Sequence, residues 1–144
     1  IDQGFENIVL AGQSAGSWAS ITLKSKFPEK IDGVIAFNPA FSGKRNIRKQ
    51  WPYWEAIRSY GISVMNLTNL KNTMVYSHSK DSYETPKTLS FLSDLSTVTF
   101  IDISGLDCKG EAMLGKGHGI ALTECFAEHE AKDKNIIKFI EEIF

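Results

Sequence analysis

Three residues of the types that carry out nucleophilic acyl transfer stand just beyond apolar segments of this chain. Ser14 follows the run NIVLAG, Asp81 ends the stretch NTMVYSHSKD, and His118 lies in the glycine-rich loop GKGHG. A serine hydroxyl is a weak nucleophile at neutral pH, so a histidine must take its proton. A carboxylate beside that histidine fixes its tautomer and stabilises the imidazolium. The order Ser, Asp, His therefore predicts a catalytic triad.

Each of the three residues has an alternative explanation or a competitor. The stretch around Ser14 could be a plain small-residue turn between a strand and a helix. Three carboxylates compete with Asp81 for the role of the acid: Glu84, Asp102 and Asp107. His78 and His129 compete with His118, although the charged surroundings of His129 are typical of a solvated helix end. His118 is favoured because the glycines on both sides let its backbone bend toward Ser14.

Alternating strands and helices must position these residues. Short apolar runs predict four buried strands, in residues 7–12, 31–40, 72–81 and 97–104. Helical patterns follow the strands, in residues 14–28, in a segment around Trp54 that ends at Gly61, in residues 85–96 with Thr85 as N-cap, and in the amphipathic tail 133–144. This order predicts an α/β fold with a parallel sheet of about four strands and flanking helices. The carboxyl ends of such strands are where sites form.

The stretch GQSAG, between a strand and a helix, matches the G-x-S-x-G nucleophile elbow of α/β-hydrolases. From this motif to its end, the chain resembles the C-terminal half of such enzymes, in the group that includes dienelactone hydrolases and carboxylesterases. The resemblance implies that Ser14 is the nucleophile, Asp81 the acid and His118 the base, and that the Ala15 N–H stabilises the oxyanion. We expect Gly12 and Gly16 to let strand and helix approach closely, and Gln13 to face the substrate pocket.

The resemblance implies hydrolysis of a carboxylic ester or related acyl bond, with no metal or organic cofactor. Peptidases and acyltransferases share the triad, so the reaction subtype stays open. The alternative is a non-catalytic binding or subunit domain of the same fold. In the family's acid loop a His-Gly pair usually precedes the acid, whereas Ser77 and His78 stand in that region here.

The resemblance also implies that residues 1–144 are a single but incomplete domain. The family's N-terminal half, which supplies several strands and a second oxyanion donor, has no counterpart in this sequence. We therefore expect a fragment whose nucleophile strand lies at a sheet edge. The missing half would come from the same gene or, as a less favoured alternative, from another chain.

The segment 42–61 combines a basic cluster with aromatic residues. The cluster consists of Lys44, Arg45, Arg48 and Lys49, and Trp51, Tyr53 and Trp54 follow it. We favour a solvated helix face whose aromatics pack into the core. A cap over the active site, with Trp51 and Trp54 lining a substrate pocket, is an alternative, and stacking on nucleic acid is a weaker one.

The composition restricts partners and cofactors. The net charge of −1 gives no general attraction to nucleic acid or anionic membranes, and no apolar run is long enough to span a bilayer. We expect a small-molecule ester as the partner, and neither nucleic acid nor a membrane. Cys108 and Cys125 form no CxxC pair, so a zinc site is not expected, whereas a disulfide between them is open. The sequence predicts a soluble protein and leaves a cytoplasmic or a periplasmic or secreted location open.

Overall fold

The computed structural model describes residues 4–106, 108 and 117–144, and its centre is a parallel sheet of four strands. The strands are β1 (Val9–Gln13), β2 (Gly33–Phe37), β3 (Thr73–Ser77) and β4 (Val98–Asp102), and they lie side by side in chain order. In the register, Ala11 pairs with Ile35, Ile35 with Met74, and Met74 with Thr99. The predicted α/β class is therefore confirmed, and β1 lies at one edge of the sheet.

Six helices accompany the sheet in the described part of the chain. They are α1 (Ala15–Lys26), α2 (Arg45–Gln50), α3 (Pro52–Ser63), α4 (Ser90–Ser93), α5 (Glu124–Asp133) and α6 (Asn135–Ile143). Two short 3-10 turns lie at Leu67–Asn69 and Ile120–Leu122. None of these helices is long and apolar enough to cross a membrane.

The order of the strands explains why the core has two halves. Right-handed crossovers between strands in sequential order put the linking helices on one face of the sheet. There Trp18 and Ile21 of α1 and Leu92 of α4 pack against Val34 and Val75. The other face would be left bare, and the C-terminal helices cover it. Phe126 of α5 and Phe139 of α6 pack there in a second cluster that includes Ile35, Met74 and Tyr76.

Two predicted helices differ from the structure. The helix expected over residues 85–96 is wrong, because only Ser90–Ser93 is helical. Residues 86–89 form a turn instead, in which Thr88 N and Leu89 N donate to the Thr85 carbonyl at 2.9 and 3.0 Å, and Thr85 N donates to Thr88 Oγ1 at 2.8 Å. Gly61 does not end its helix, because α3 continues to Ser63.

Candidate active site

Ser14 is the single residue between β1 and α1, and its backbone has a conformation that non-glycine residues rarely adopt. Its φ is 57° and its ψ is −121°. Such a conformation costs about 1–3 kcal/mol and persists only where surrounding bonds hold it. Ser14 N donates to the Phe37 carbonyl at 3.0 Å, and Ala40 N donates to the Ser14 carbonyl at 3.2 Å. The end of β2 therefore holds the turn from both sides.

Close approach of strand and helix beneath this turn depends on Gly12. A Cβ atom on Gly12 would lie 2.5 Å from the Gly16 carbonyl carbon and 2.7 Å from Ser17 N. We also expected Gly16 to allow close approach of strand and helix. This expectation is not met, because a Cβ on Gly16 would have no neighbour within 4 Å among the described residues. Ser17 is fully buried, and its hydroxyl lies within hydrogen-bond distance of two carbonyl oxygens, those of Gly12 and, at 2.9 Å, of Phe37.

The side chains of Ser14, His118 and Asp81 form one hydrogen-bonded row. His118 Nε2 lies 2.8 Å from Ser14 Oγ, and His118 Nδ1 lies 2.8 Å from Asp81 Oδ2. An ionised carboxylate can only accept, so Nδ1 carries the proton and the Nε2 lone pair faces the serine hydroxyl. Asp81 is fully buried, whereas His118 remains 13% exposed. This arrangement can remove the hydroxyl proton of Ser14 when its oxygen attacks an electrophile.

Two residues that the sequence analysis did not single out support the carboxylate of Asp81. Tyr83 N donates to Asp81 Oδ1 at 2.7 Å, and Asn38 Nδ2 donates to Asp81 Oδ2 at 3.3 Å. Asn38 directly follows β2 and is buried. Its backbone lies in the left-handed region, with a φ of 46°. The rule that sites form at the carboxyl ends of parallel strands could have found Asn38.

The loop that carries His118 is held from three directions. Gln13 Nε2 donates to the His118 carbonyl at 3.0 Å, so Gln13 positions the histidine loop. The Tyr83 ring packs on the imidazole with centroids 4.3 Å apart. Gly117 has a φ of +99°, and a Cβ there would lie 2.8 Å from His78 Nδ1 and 3.1 Å from Asp81 N. Gly119 has a φ of −94°, which any residue can adopt, so the expectation that glycine is needed on both sides of His118 holds for Gly117 and not for Gly119.

The other candidate acids are engaged elsewhere or lie outside the described residues. Glu84 is fully buried and pairs with Arg58 Nε at 2.7 Å and with Arg48 Nη1 at 3.0 Å. Asp102 accepts from Ser104 N at 2.9 Å at the exposed end of β4. Asp107 lies outside the described residues.

The other two histidines also have separate surroundings. His78 is buried, and its Nδ1 accepts from Lys80 N at 2.9 Å. Burial is the main cause that lowers the pKa of His78, and the Lys80 charge adds to it, while Asp102 and Asp81 oppose it. His129 pairs with Asp133 along α5 at 3.3 Å. Of the three histidines, all of which the structure describes, His118 is the one that lies within hydrogen-bond distance of Ser14.

The basic residues of segment 42–61 fasten α2 and α3 to the loop that carries Asp81. Arg45 Nη2 donates to the Asp81 carbonyl at 2.6 Å, and Arg48 Nη2 donates to the Tyr83 carbonyl at 3.1 Å. Arg48 and Arg58 also share the buried carboxylate of Glu84. Two of the four charges in the cluster are thus used inside the protein, which weakens the nucleic-acid alternative.

The aromatics of this segment do not pack into the core as expected. Trp51 and Trp54 are 63% and 40% exposed, and α3 has no buried residue. Neither tryptophan lines the cavity of about 550 Å³ that begins at Ala15 between α1 and α3. Their role as pocket residues stays a prediction.

The remaining features of the site are one free helix end and one disulfide. Ala15 is the first residue of α1, so its N–H has no partner within the helix and can donate to a negatively charged oxygen. Cys108 and Cys125 form a disulfide with a Cα–Cα distance of 5.6 Å, and His118 lies between them in the sequence. Within the described residues, no group of three or more His, Cys, Asp or Glu side chains could hold a metal ion.

Comparisons of the chain with protein-family models, with curated proteins and with solved structures find no significant match. The likeness of GQSAG to the nucleophile elbow therefore stays a resemblance. The function has to be argued from the geometry around Ser14.

Proposed function

We propose that this chain is a serine hydrolase that cleaves a carboxylic ester, or a related acyl bond, through an acyl-enzyme intermediate. The observation that carries the proposal is the row Ser14 Oγ, His118 Nε2, His118 Nδ1, Asp81 Oδ2, with 2.8 Å at each contact. These residues come from three separate loops at one edge of the sheet, so the arrangement is not a by-product of local sequence. The strained backbone of Ser14 supports the proposal too, because such strain clusters at functional sites.

In the first step Ser14 Oγ attacks the carbonyl carbon of the substrate, and His118 Nε2 takes the hydroxyl proton. The carbonyl oxygen becomes negative, and the Ala15 N–H at the start of α1 donates to it. Asp81 stays ionised and stabilises the imidazolium through Nδ1.

In the second step the tetrahedral intermediate collapses, and the bond to the alcohol breaks. His118 gives its proton to the leaving alcohol, so the acyl group remains on Ser14. Water then enters beside His118, loses a proton to Nε2 and attacks the acyl carbon. Ser14 takes the proton back as the acid leaves, and the site returns to its starting state.

The proposal is tested by treating the purified chain with a small fluorophosphonate and measuring its intact mass. We expect one adduct on the wild-type chain and none on Ser14→Ala. Asp81→Asn should slow labelling strongly, up to about 10⁴-fold, because the histidine loses the partner that fixes its tautomer. Absence of an adduct on the wild type, or an adduct that persists in Ser14→Ala, would contradict the proposal. The chain would then be a non-catalytic domain of the same fold.

A further inference from the structure

An apolar cavity of about 550 Å³ lies between α1 and α3 and is open to solvent, because most of the residues that line it are exposed. Ala15, Ala19 and Leu23 of α1 form one wall, and Ile57 and Gly61 of α3 belong to the other. None of the described side chains that line it is charged. Its volume lies within the range of about 300–1,000 Å³ that is typical of small-molecule sites. A neutral, apolar group therefore fits it best.

The cavity adjoins the turn that carries the proposed nucleophile. Ala15 directly follows Ser14, and Phe41 follows Ala40, whose N–H donates to the Ser14 carbonyl at 3.2 Å. Phe41 stacks on Trp18 with centroids 5.8 Å apart, and both rings line the cavity. A group attached to an acyl carbon at Ser14 would thus reach the cavity by passing Ala15.

The position of His118 indicates which part of an ester the cavity takes. The leaving alcohol must lie beside His118 Nε2, which protonates it. Neither Ser14 nor His118 is among the residues that line the cavity, whereas Ala15, whose N–H is the proposed oxyanion donor, is one of them. The cavity therefore lies beside the carbonyl oxygen of the ester rather than beside the leaving alcohol, and from Ala15 to Leu23 the helix rises about 12 Å, which is room for an extended chain.

We propose that this cavity binds the acyl group of the substrate, and that the substrate is an ester of a neutral, medium-chain aliphatic acid such as octanoic acid. This inference rests on the proposed function of Ser14. Burial of each methylene contributes up to about 0.8 kcal/mol, so chain length should strongly affect kcat/KM.

The first test compares p-nitrophenyl octanoate with p-nitrophenyl acetate. We expect the wild-type chain to favour the octanoate at least roughly tenfold in kcat/KM. Ala19→Phe, which fills the cavity from α1, should lower the octanoate-to-acetate ratio by about tenfold. Ala56→Phe is the matched control, because Ala56 is an exposed helical alanine outside the cavity, and it should keep the wild-type ratio. An unchanged ratio in Ala19→Phe would overturn the inference.

A second variant and a binding measurement keep the result independent of folding and of catalysis. Gly61→Val fills the cavity from α3, where a Cβ would only touch the Trp18 ring at 3.5 Å. Calorimetric titration with octanoate should show binding to the wild type and to Ala56→Phe, and loss of binding in Gly61→Val and Ala19→Phe. Equal octanoate binding by all four proteins would overturn the inference.

The two proposals fail in different ways. Without fluorophosphonate labelling at Ser14, but with octanoate binding that Ala19→Phe abolishes, the cavity stands as an apolar binding site and the hydrolase function falls. Labelling at Ser14 without any chain-length preference overturns the acyl cavity alone. Light scattering supplies a third outcome: if the wild type is a dimer and Ala19→Phe a monomer, the cavity is covered by a second copy and the inference is wrong.

Discussion

At the scale of single residues, the backbone around the proposed triad matters as much as its side chains. Ser14 carries one of the two groups that exchange a proton, and its φ is 57°. Gly117 directly precedes His118, which carries the other group, and its φ is +99°. Each conformation aims a side chain that ordinary strand or helix geometry would turn away. We therefore expect the contact between His118 and Ser14 to depend on both backbone conformations.

Gly117→Ala should therefore damage the site. An alanine at this φ is strained by about 1–3 kcal/mol, and its Cβ would press on backbone atoms of Lys80 and Asp81 at 3.1 Å. We expect the labelling rate of Ser14 to fall by about 10²-fold, because a shift of about 1 Å in a catalytic group can cost that much.

Fluorophosphonate labelling kinetics measure this effect. Gly119→Ala is the matched control on the other side of His118, because its φ of −94° is open to alanine. Equal labelling rates for the two variants would show that the left-handed conformation of Gly117 does not position His118.

At the scale of elements, links between distant segments hold the loops of the site in place. Arg48 of α2 and Arg58 of α3 meet at the buried carboxylate of Glu84, just after the loop that carries Asp81. The disulfide joins Cys108, beyond β4, to Cys125 in α5. The chain between the two cysteines includes His118, so this link limits how far the histidine can move.

Removal of the disulfide should lower the stability of the chain. Cys108→Ala with Cys125→Ala opens a loop whose ends are 17 residues apart, which should reduce the free energy of unfolding by about 3 kcal/mol. Urea unfolding with and without a reducing agent measures this loss. Reduction should destabilise the wild type and leave the double variant unchanged. Equal unfolding curves for oxidised and reduced wild type would refute the prediction.

At the scale of the whole molecule, β1 is an edge strand, and the two faces of the sheet are covered by different parts of the chain. The crossover helices cover one face and α5 and α6 the other. The proposed site lies at the carboxyl ends of the strands, between the helices that cover the two faces of the sheet. His78 is buried near this edge at the end of β3, where a Cβ on Gly117 would lie 2.8 Å from its Nδ1.

The burial of His78 predicts an acid-side loss of stability. Its pKa is lowered in the folded chain, so below about pH 6.5 the unfolded chain binds a proton that the folded chain does not. The contribution is favourable above pH 6.5 and is lost as the pH falls toward the lowered folded pKa. The slope from this one group is at most about 1.4 kcal/mol per pH unit.

Urea unfolding at several pH values between 7 and 5 tests this prediction. His78→Asn keeps an acceptor for Lys80 N and removes the titrating ring, so its stability should fall less steeply with acid than that of the wild type. His129→Asn removes a partly exposed histidine instead and should change the slope less. Parallel curves for the wild type and His78→Asn would be the contrary result.

The fold class and the three residues of the proposed triad could be predicted from local sequence patterns. Apolar runs that alternate with helical patterns are local signals, and they predicted four parallel strands because such strands need helical crossovers. The carboxyl ends of parallel strands meet at one edge, so Ser14, Asp81 and His118 could be expected to lie together. Local signals also predicted too long a helix at residues 85–96, where residues 86–89 form a turn and only Ser90–Ser93 is helical.

The polar groups that meet across long stretches of chain became evident from the three-dimensional fold alone. Asn38 and Tyr83 support Asp81, and Glu84 is a buried ion-pair partner rather than an acid at the site. The exposure of Trp51 and Trp54 and the cavity beside Ala15 follow from where α3 lies relative to α1. Such contacts depend on the relative placement of whole elements, which composition and periodicity do not specify.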